Sequence, residues 1–256
     1  IYIDKVNALN QIKVLQKMFN SLIVKSRLPM LVIDKQVSNT DRNSFNASIA
    51  AIKGFSIFAN EIVYLLDHED NINYRILNDF LKWNHKKKFL IFGFTSNIYI
   101  NLIKKININK ILIKDFSNAF LIHGGGWKKI EKKKISRVKF NLNLNTKFGI
   151  QNIRNYYGLV EQIGSIFFEC KCGYFVASNY SDVIIRDKNL NICKKGEKGL
   201  VQLLSLLPTS YPGHSILTED IGEIINDDSC KCYGSGTRFI IHGRLQNAEL
   251  RGCSNS

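Results

Sequence analysis

The fold of this chain is decided by the stretch Phe89-Leu90-Ile91-Phe92-Gly93-Phe94-Thr95. Its apolar run is too short for a typical helix and is interrupted by glycine, so it predicts a central strand that leads into a loop. Similar short runs occur at Met30-Leu31-Val32-Ile33 and at Ala119-Phe120-Leu121-Ile122-His123. Helical patterns alternate with these runs at residues 5–24, 72–84 and 96–106. Strands that alternate with helices predict a parallel sheet in an α/β architecture.

The sequence pattern changes after about residue 164. Short strand-like segments separated by turn residues follow at 164–170, 173–178, 182–187, 198–206, 220–226 and 237–243. This pattern predicts a mainly β subdomain packed on the α/β part. We therefore predict an α/β part at residues 1–163, a mainly β subdomain at 164–243, and a hinge and C-terminal tail at 244–256.

Composition limits the class of protein. The 256 residues are 45% hydrophobic, enough for a packed core. No secretory signal and no bilayer-length apolar stretch occurs, so we expect a cytoplasmic chain with reduced thiols and no membrane span. The net charge of +15 reflects either a bias toward AT-rich codons, which over-uses Lys, Asn and Ile, or attraction of anions such as a nucleotide. Because the basic residues are scattered, we expect no nucleic-acid partner.

A triple glycine, Gly124-Gly125-Gly126, follows the third strand-like run. Glycines at such a place let the backbone approach a flat ring or a phosphate closely, although a plain tight turn is the alternative. The same motif builds the oxyanion hole of lipases and esterases, but that reading needs a Gly-x-Ser-x-Gly elbow, which the sequence does not contain. The neighbouring His123 either flanks a site or is a hydrogen-bonded structural histidine.

Three further motifs follow in order: Tyr156-Tyr157-Gly158-Leu159-Val160-Glu161, then Leu217-Thr218-Glu219-Asp220-Ile221-Gly222, then His242-Gly243-Arg244. An aromatic face suits adenine, a carboxylate suits Mg²⁺ on phosphates, and a guanidinium pairs with ribose or phosphate oxygens. Each motif alone is weak, since aromatic residues before glycine and acidic turns are common.

Together the four motifs resemble those of adenylate-forming enzymes, the superfamily of acyl-CoA synthetases, luciferases and peptide-synthetase adenylation domains. The resemblance implies the parallel-sheet core of an adenylate-forming enzyme, with ATP and magnesium as its nucleotide and metal. It implies that Tyr157 stacks on adenine and that Glu161 helps bind magnesium. It also implies that Asp220 binds the ribose hydroxyls and that Arg244 contacts the nucleotide. The nucleotide-binding set is Gly124, Gly125, Gly126, Tyr157, Gly158, Asp220 and Arg244. One residue departs from the family pattern, because Glu219 stands where the family has glycine.

A closer resemblance covers most of the chain and is to the LuxE-type acyl-protein synthetases of bacterial luminescence systems. It is carried by Phe92 to Thr95, Leu121 to Trp127, Tyr157 to Cys170, Ser210 to Asp220 and Glu249 to Ser254. The resemblance implies ATP-dependent activation of a long-chain fatty acid as acyl-AMP. It also implies transfer of the acyl group to a cysteine near the C-terminus, which matches Cys253, and delivery to an acyl reductase partner.

The tail around Cys253 is consistent with an acyl acceptor. Adenylation gives a carboxylate a good leaving group, and a thiolate is then a competent nucleophile. Gly252 and Ser254 favour a flexible, exposed segment, and Arg251 favours the thiolate. Without the resemblance, Cys253 is more simply an idle surface thiol.

Four other cysteines form two tight pairs, Cys170-Lys171-Cys172 and Cys230-Lys231-Cys232. Four thiolates suit a tetrahedral structural zinc, although the same residues are also consistent with buried small side chains.

Two alternatives remain beside the acyl-protein synthetase: a coenzyme A ligase of the phenylacetate type, and a degenerate non-catalytic subunit. Coenzyme A ligases continue past the Gly-Arg hinge into a domain with a catalytic lysine, whereas this chain stops soon after Cys253, which favours self-acylation. The family's Ser/Thr/Gly-rich phosphate loop does not occur in residues 1–120. We therefore expect an N-terminally truncated chain that turns over ATP poorly by itself.

Overall fold

The structure, a computed structural model, describes residues 3–22, 26–36, 47–226, 230, 232 and 236–245. These residues belong to two compact units. The α/β unit holds residues 26–155, and the β-rich unit holds residues 156–245 together with helix α1 (Lys5–Leu22). Among the described residues, no helix has the length and apolar character needed to cross a membrane.

The α/β unit alternates strands and helices. Its elements are β1 (Leu28–Lys35), α2 (Ala47–Ser56), β2 (Ala59–Leu66), α3 (Tyr74–Asn84), β3 (Phe89–Phe94), α4 (Thr95–Ile98), β4 (Ala119–Gly124) and α5 (Arg137–Phe148). A π-helix at Tyr99–Lys105 continues α4, and short 3₁₀-helices lie at Ile108–Lys110 and Lys128–Lys133. Strand β5 (Asn152–Gly158) begins in this unit and ends in the β-rich unit.

The sheet of the α/β unit is parallel, in the order β2-β1-β3-β4. Ile91 of β3 lies between Leu31 of β1 and Leu121 of β4. All six residues of β3 are buried, as expected of a parallel strand covered on both faces. The α/β prediction from the stretch at Phe89 is therefore confirmed, and the predicted helix at 96–106 is a short α-helix continued by the π-helix.

Local signals explain where the helices of this unit begin and end. The side chain of Asn73 caps α3 by accepting a hydrogen bond from the Ile76 amide, and Ser136 caps α5 in the same way. Gly149 ends α5 in the left-handed conformation at φ 74°. Leu77 of α3 and Leu144 of α5 are fully buried in the same core as Ile91 of β3, so both helices pack on the sheet through this core.

The β-rich unit is antiparallel. Its strands are β6 (Ile166–Glu169), β7 (Phe175–Val176), β8 (Ser181–Arg186), β9 (Lys198–Ser205), β10 (Ser215–Ile224) and β11 (Arg238–Arg244). Within the unit the strand order is β5-β6-β7-β11-β10-β9-β8. Side chains from these strands form a second hydrophobic core, which includes Phe167, Val183, Val201 and Phe239. The predicted change to a mainly β pattern is confirmed.

Helix α1 belongs to the β-rich unit and makes partly buried polar contacts with it. The Asn7 side chain donates to Thr209 Oγ1 at 2.9 Å, and the Gly164 amide donates to Gln11 Oε1 at 2.6 Å. The two compact units thus divide at residue 156, and α1 belongs with the later strands. The functional domain boundaries at residues 163 and 243 stay a prediction.

Candidate functional site

A phenol, a carboxylate and a guanidinium meet in the β-rich unit. Tyr157 donates its hydroxyl to Asp220 Oδ2 at 2.7 Å, and Arg244 Nε lies 3.6 Å from Asp220 Oδ1. The same guanidinium pairs with Glu219 at 3.2 Å. Asp220 and Arg244 are direct partners in the β10–β11 register. Three of the residues predicted for the nucleotide therefore lie together, with both carboxylate oxygens of Asp220 facing a polar partner.

A bulge in β10 presents this carboxylate. Between Leu217 and Ile221, three β10 residues lie opposite the single β9 residue Val201. Thr218 Oγ1 replaces the missing ladder bond by donating to the Val201 carbonyl at 2.8 Å, and it accepts the Asp220 amide at 3.1 Å. Bulges re-aim side chains, and this one turns Asp220 toward Tyr157 and Arg244.

Aromatic packing orients Tyr157. Its ring centroid lies 6.2 Å from Phe167, 5.9 Å from Phe175 and 6.2 Å from Phe239. Burial raises the pKa of Tyr157 far above its ordinary value, and the negative charge of Asp220 raises it further. The phenol therefore stays protonated at neutral pH and acts as a donor to the carboxylate.

Glu219, the residue that departs from the family pattern, fits its position without strain. It is exposed, its side chain pairs with Arg244, and its carbonyl accepts the Leu245 amide at 2.9 Å. Among the described residues, the non-glycine residues with positive φ are Asp70 and Leu190, so Glu219 has a backbone open to any side chain. Glycine is not required there.

The triple glycine forms the end of β4 in the α/β unit. Gly124 is buried as the last residue of the strand, whereas Gly125 and Gly126 are exposed. Gly125 has φ +68°, and a Cβ there would meet the Phe94 ring at 3.5 Å. The left-handed conformation explains the glycine, and the exposed turn offers backbone to a ligand.

A buried hydrogen-bond chain holds this turn. Thr95 Oγ1 donates to the Gly124 carbonyl at 3.1 Å, so its oxygen is left to accept the Nδ1 proton of His123 at 2.8 Å. The imidazole packs 4.8 Å from the Phe140 ring. Burial, with the nearby charge of Arg137, lowers the pKa of His123 to about 3. His123 is therefore a neutral, hydrogen-bonded residue behind the glycine turn.

Gly158 and Glu161 lie at and after the end of β5. A Cβ on Gly158 would lie 2.6 Å from the Ser165 carbonyl oxygen, because the backbone pairs closely with Ile166. Glycine is thus required by close approach of two strands. Glu161 is exposed in the following turn, where its carboxylate oxygens are accessible hard ligands of the kind magnesium prefers.

The predicted cysteines fall into two groups. Cys170, Cys172, Cys230 and Cys232 converge in the β-rich unit, with their sulfur atoms within 4.8 Å of one another. Cys253 lies outside the residues that the structure describes, and its role stays a prediction.

Sequence reasoning missed the contacts that hold the site. Thr218 holds the bulge and Thr95 holds the glycine turn. Nothing in the local sequence pattern marks either role, since Thr218 lies inside a strand and Thr95 directly follows one. The direct Tyr157–Asp220 bond joins residues 63 positions apart. The Leu-Thr-x-Asp and Gly-Arg motifs lie on consecutive strand-like segments, which is a signal in the sequence that could have suggested a cross-strand pair.

The chain matches a known family along its whole length. The sequence model of the family "Acyl-protein synthetase, LuxE" matches residues 1–256. The long-chain-fatty-acid–luciferin-component ligase of Aliivibrio fischeri is 28% identical over 180 residues, which cover 68% of this chain and 46% of that protein. The ligase of the same name from Vibrio harveyi is 28% identical over 147 residues, covering 54% of this chain and 36% of that protein. The chain spans less than half the length of these curated relatives.

Solved structures share the fold. The luciferase-like enzyme of the nonluminescent mealworm Zophobas morio is similar with a TM-score of 0.59 and 14% identity, over 93% of this chain and 53% of that one. The amide bond synthetase McbA from Marinactinospora thermotolerans has a TM-score of 0.55 and 13% identity, over 92% and 45% of the two chains. ATP-bound MatB from Rhodopseudomonas palustris has a TM-score of 0.58 and 11% identity, over 92% and 44%.

These likenesses show the fold of adenylate-forming enzymes, and the family match shows the relationship. The chain belongs to the acyl-protein synthetase LuxE family.

Proposed function

We propose that the chain carries the nucleotide-handling part of a fatty acid–protein ligase. In this reaction the fatty carboxylate attacks the α-phosphorus of ATP, pyrophosphate leaves, and acyl-AMP forms. The Cys253 thiolate then attacks the acyl carbon and AMP leaves, which gives a thioester for delivery to an acyl reductase partner. The family match and the ligase names of the curated relatives support this reaction class.

The observation that carries the proposal is the carboxylate of Asp220, held between Tyr157 and Arg244. The two hydroxyls of a ribose are both donors, and a carboxylate has two oxygens to accept them. Hydrogen bonds to a charged group contribute about 1.5–3 kcal/mol, so this residue alone gives a sizeable share of nucleotide affinity. Tyr157 and the bulge residue Thr218 keep the carboxylate in one orientation.

Charge is arranged to suit an adenylate. The guanidinium of Arg244 lies beside Asp220 and is about half exposed, so it can turn toward ribose or phosphate oxygens while staying near the carboxylate. Glu161 would hold magnesium, which supplies positive charge to the phosphates when bound. The exposed backbone at Gly125 and Gly126 suits close approach of a ring or phosphate.

The nucleotide part is tested by calorimetric binding of a non-hydrolysable acyl-adenylate analogue, a 5′-O-(N-acylsulfamoyl)adenosine. We expect Asp220→Asn to weaken binding by about 10- to 100-fold, the loss of one to two charge-assisted hydrogen bonds. The matched control is Glu223→Gln, which removes a carboxylate from the same strand pair, where Glu223 contacts His242 at 3.1 Å.

The ribose contact is tested by the 2′-deoxy and 3′-deoxy forms of the analogue. The unaltered chain should bind both more weakly, whereas Asp220→Asn should no longer distinguish them. If the variant binds all three forms as the unaltered chain does, Asp220 is not the ribose ligand.

The acceptor is tested with synthetic acyl-AMP, which bypasses the ATP step. A radiolabelled acyl group should become attached in a hydroxylamine-sensitive bond, and Cys253→Ser should abolish the labelling. Cys193→Ser is the control, because Cys193 is a half-exposed thiol in the β-rich unit. Labelling that survives Cys253→Ser would exclude this acceptor, and acyl-CoA formed after addition of coenzyme A would favour the coenzyme A ligase alternative.

A further inference from the structure

Four thiols converge in the β-rich unit. Cys170 follows β6 and Cys172 lies in the turn before β7, while Cys230 and Cys232 come from the segment between β10 and β11. The sulfur atoms of Cys170 and Cys230 are 3.8 Å apart, and those of Cys172 and Cys232 are 3.6 Å apart. All four sulfurs lie within 4.8 Å of one another.

This spacing is that of a tetrahedral metal site. Zinc–sulfur bonds of about 2.3 Å at tetrahedral angles place neighbouring sulfurs about 3.8 Å apart. The two cross pairs are close to this separation, and no pair exceeds it by more than about 1 Å. All four cysteines are free thiols, so no disulfide accounts for their approach.

Ordinary core packing does not explain the cluster. Cys170 and Cys230 are buried, but Cys172 is exposed and Cys232 is half-buried. If the four cysteines served only to fill core space, all of them would be buried. Contacts between weakly polar thiols also contribute little to stability. Two residues from each of two separate segments instead surround one point, as metal ligands do.

We propose that Cys170, Cys172, Cys230 and Cys232 bind a structural zinc ion through four thiolates. Four protein ligands complete the coordination of zinc and leave no open position for a substrate, so the site is structural and not catalytic. Soft thiolates select zinc over magnesium, which keeps this site chemically separate from the predicted magnesium ligand Glu161.

The zinc would join strands that are otherwise weakly connected. Strands β7 and β11 share two residue pairs, Arg238 with Val176 and Phe239 with Phe175. Arg238 also donates to the Cys232 carbonyl at 3.3 Å. The metal therefore clamps the turn between β6 and β7 to the segment that leads into β11.

This clamp lies on the elements that carry the candidate site. Strand β11 bears Arg244, β10 bears Asp220, and β6 pairs with the part of β5 that bears Tyr157. Zinc binding would fix the relative positions of these strands. The zinc proposal itself does not depend on the proposed ligase reaction, since it follows from the thiols alone.

The experiment measures metal on the full chain, purified in reducing buffer without chelator. Elemental analysis should find about one zinc per chain. Replacement by Co²⁺ should give intense visible bands of a tetrahedral ion and a thiolate-to-cobalt charge-transfer band in the near ultraviolet. When a thiol reagent is added, one zinc should be released for every four cysteine thiols that react.

Cys172→Ser is the informative variant, because Cys172 is exposed and its loss leaves the core intact. We expect it to fold and to lose zinc at a chelator concentration at least about tenfold lower than the unaltered chain. Cys193→Ser should keep the metal. The proposal is overturned by reduced protein without zinc, by iron in its place, by two disulfides in freshly purified chain, or by Cys172→Ser with unchanged zinc affinity.

Discussion

Strands β3 and β10 show two ways of placing a functional group. All six residues of β3 are buried, whereas Gly222 is the one buried residue among the ten of β10. Strand β3 is positioned by apolar packing on both faces. The glycine turn follows the neighbouring strand β4, which pairs with β3 as far as Phe94 and Gly124. Strand β10 is positioned by ladder bonds, a threonine-closed bulge and ion pairs. Apolar burial therefore positions β3, whereas directional polar contacts position the functional groups of β10.

The largest expected difference comes from matched isoleucines. Ile91 of β3 is fully buried, and Ile184 of β8 is half-buried. We expect Ile91→Ala to lower the free energy of unfolding by about 2–5 kcal/mol through a cavity, and Ile184→Ala to lower it by about 1 kcal/mol. Urea denaturation of both variants measures the two values. Equal losses would break the contrast between the units.

Acid should weaken the α/β unit through His123. Its pKa falls from an ordinary 6.5 to about 3 on folding, so below about pH 6.5 the unfolded chain binds more protons. The free energy of unfolding should then fall by about 1.4 kcal/mol per pH unit, or about 2 kcal/mol between pH 7 and 5.

The variant His123→Asn separates this effect from other acidic transitions. Asparagine keeps a donor toward Thr95 but does not titrate, so urea denaturation of the variant should show a flatter pH dependence over the same range. The same slope in both chains would show that His123 does not cause the loss.

A smaller effect is expected from the bulge. Thr218→Val keeps the shape of the side chain but leaves the Val201 carbonyl and the Asp220 amide without the hydroxyl. We expect a loss of about 1 kcal/mol in stability and a several-fold weaker binding of the acyl-adenylate analogue. Calorimetry and denaturation on one preparation measure both. Unchanged binding would mean that the bulge does not orient Asp220.

The smallest effect is expected at Glu219. Its ion pair with Arg244 has side chains about half exposed, at 51% and 47%. Glu219→Gln should therefore change the free energy of unfolding by less than about 1 kcal/mol. A larger loss in denaturation experiments would show that this residue, which replaces a family glycine, contributes to the strand pair.

The accuracy of the sequence predictions follows the same contrast. The strands at Phe89–Phe94 and Ala119–Gly124 were predictable because both their faces are apolar. Helix Ala47–Ser56 and strand Ala59–Leu66 were not predicted. The strand lies at the edge of the sheet and carries exposed Asn60 and Glu61, which disrupt the apolar run.

The sequence was enough to predict which residues belong to the candidate site, but not how those residues contact one another. Tyr157, Asp220 and Arg244 were named from motif order, and the structure adds that they touch one another. Their roles toward a nucleotide stay proposals. Helix α1 precedes the first strand, yet it belongs to the β-rich unit, because its Asn7 and Gln11 bond residues more than 150 positions away.

The sequence by itself determined the alternation of buried strands and helices, the change to a mainly β pattern, and the residue types available for nucleotide and metal chemistry. These follow from local periodicity and from the chemistry of single side chains. The tertiary structure alone decided that Asp220 faces Tyr157 and that two distant cysteine pairs surround one point. The first depends on strand register and on the bulge in β10, and the second on the pairing of β7 with β11. Both arise from pairing between remote segments, which leaves no periodic trace in either segment.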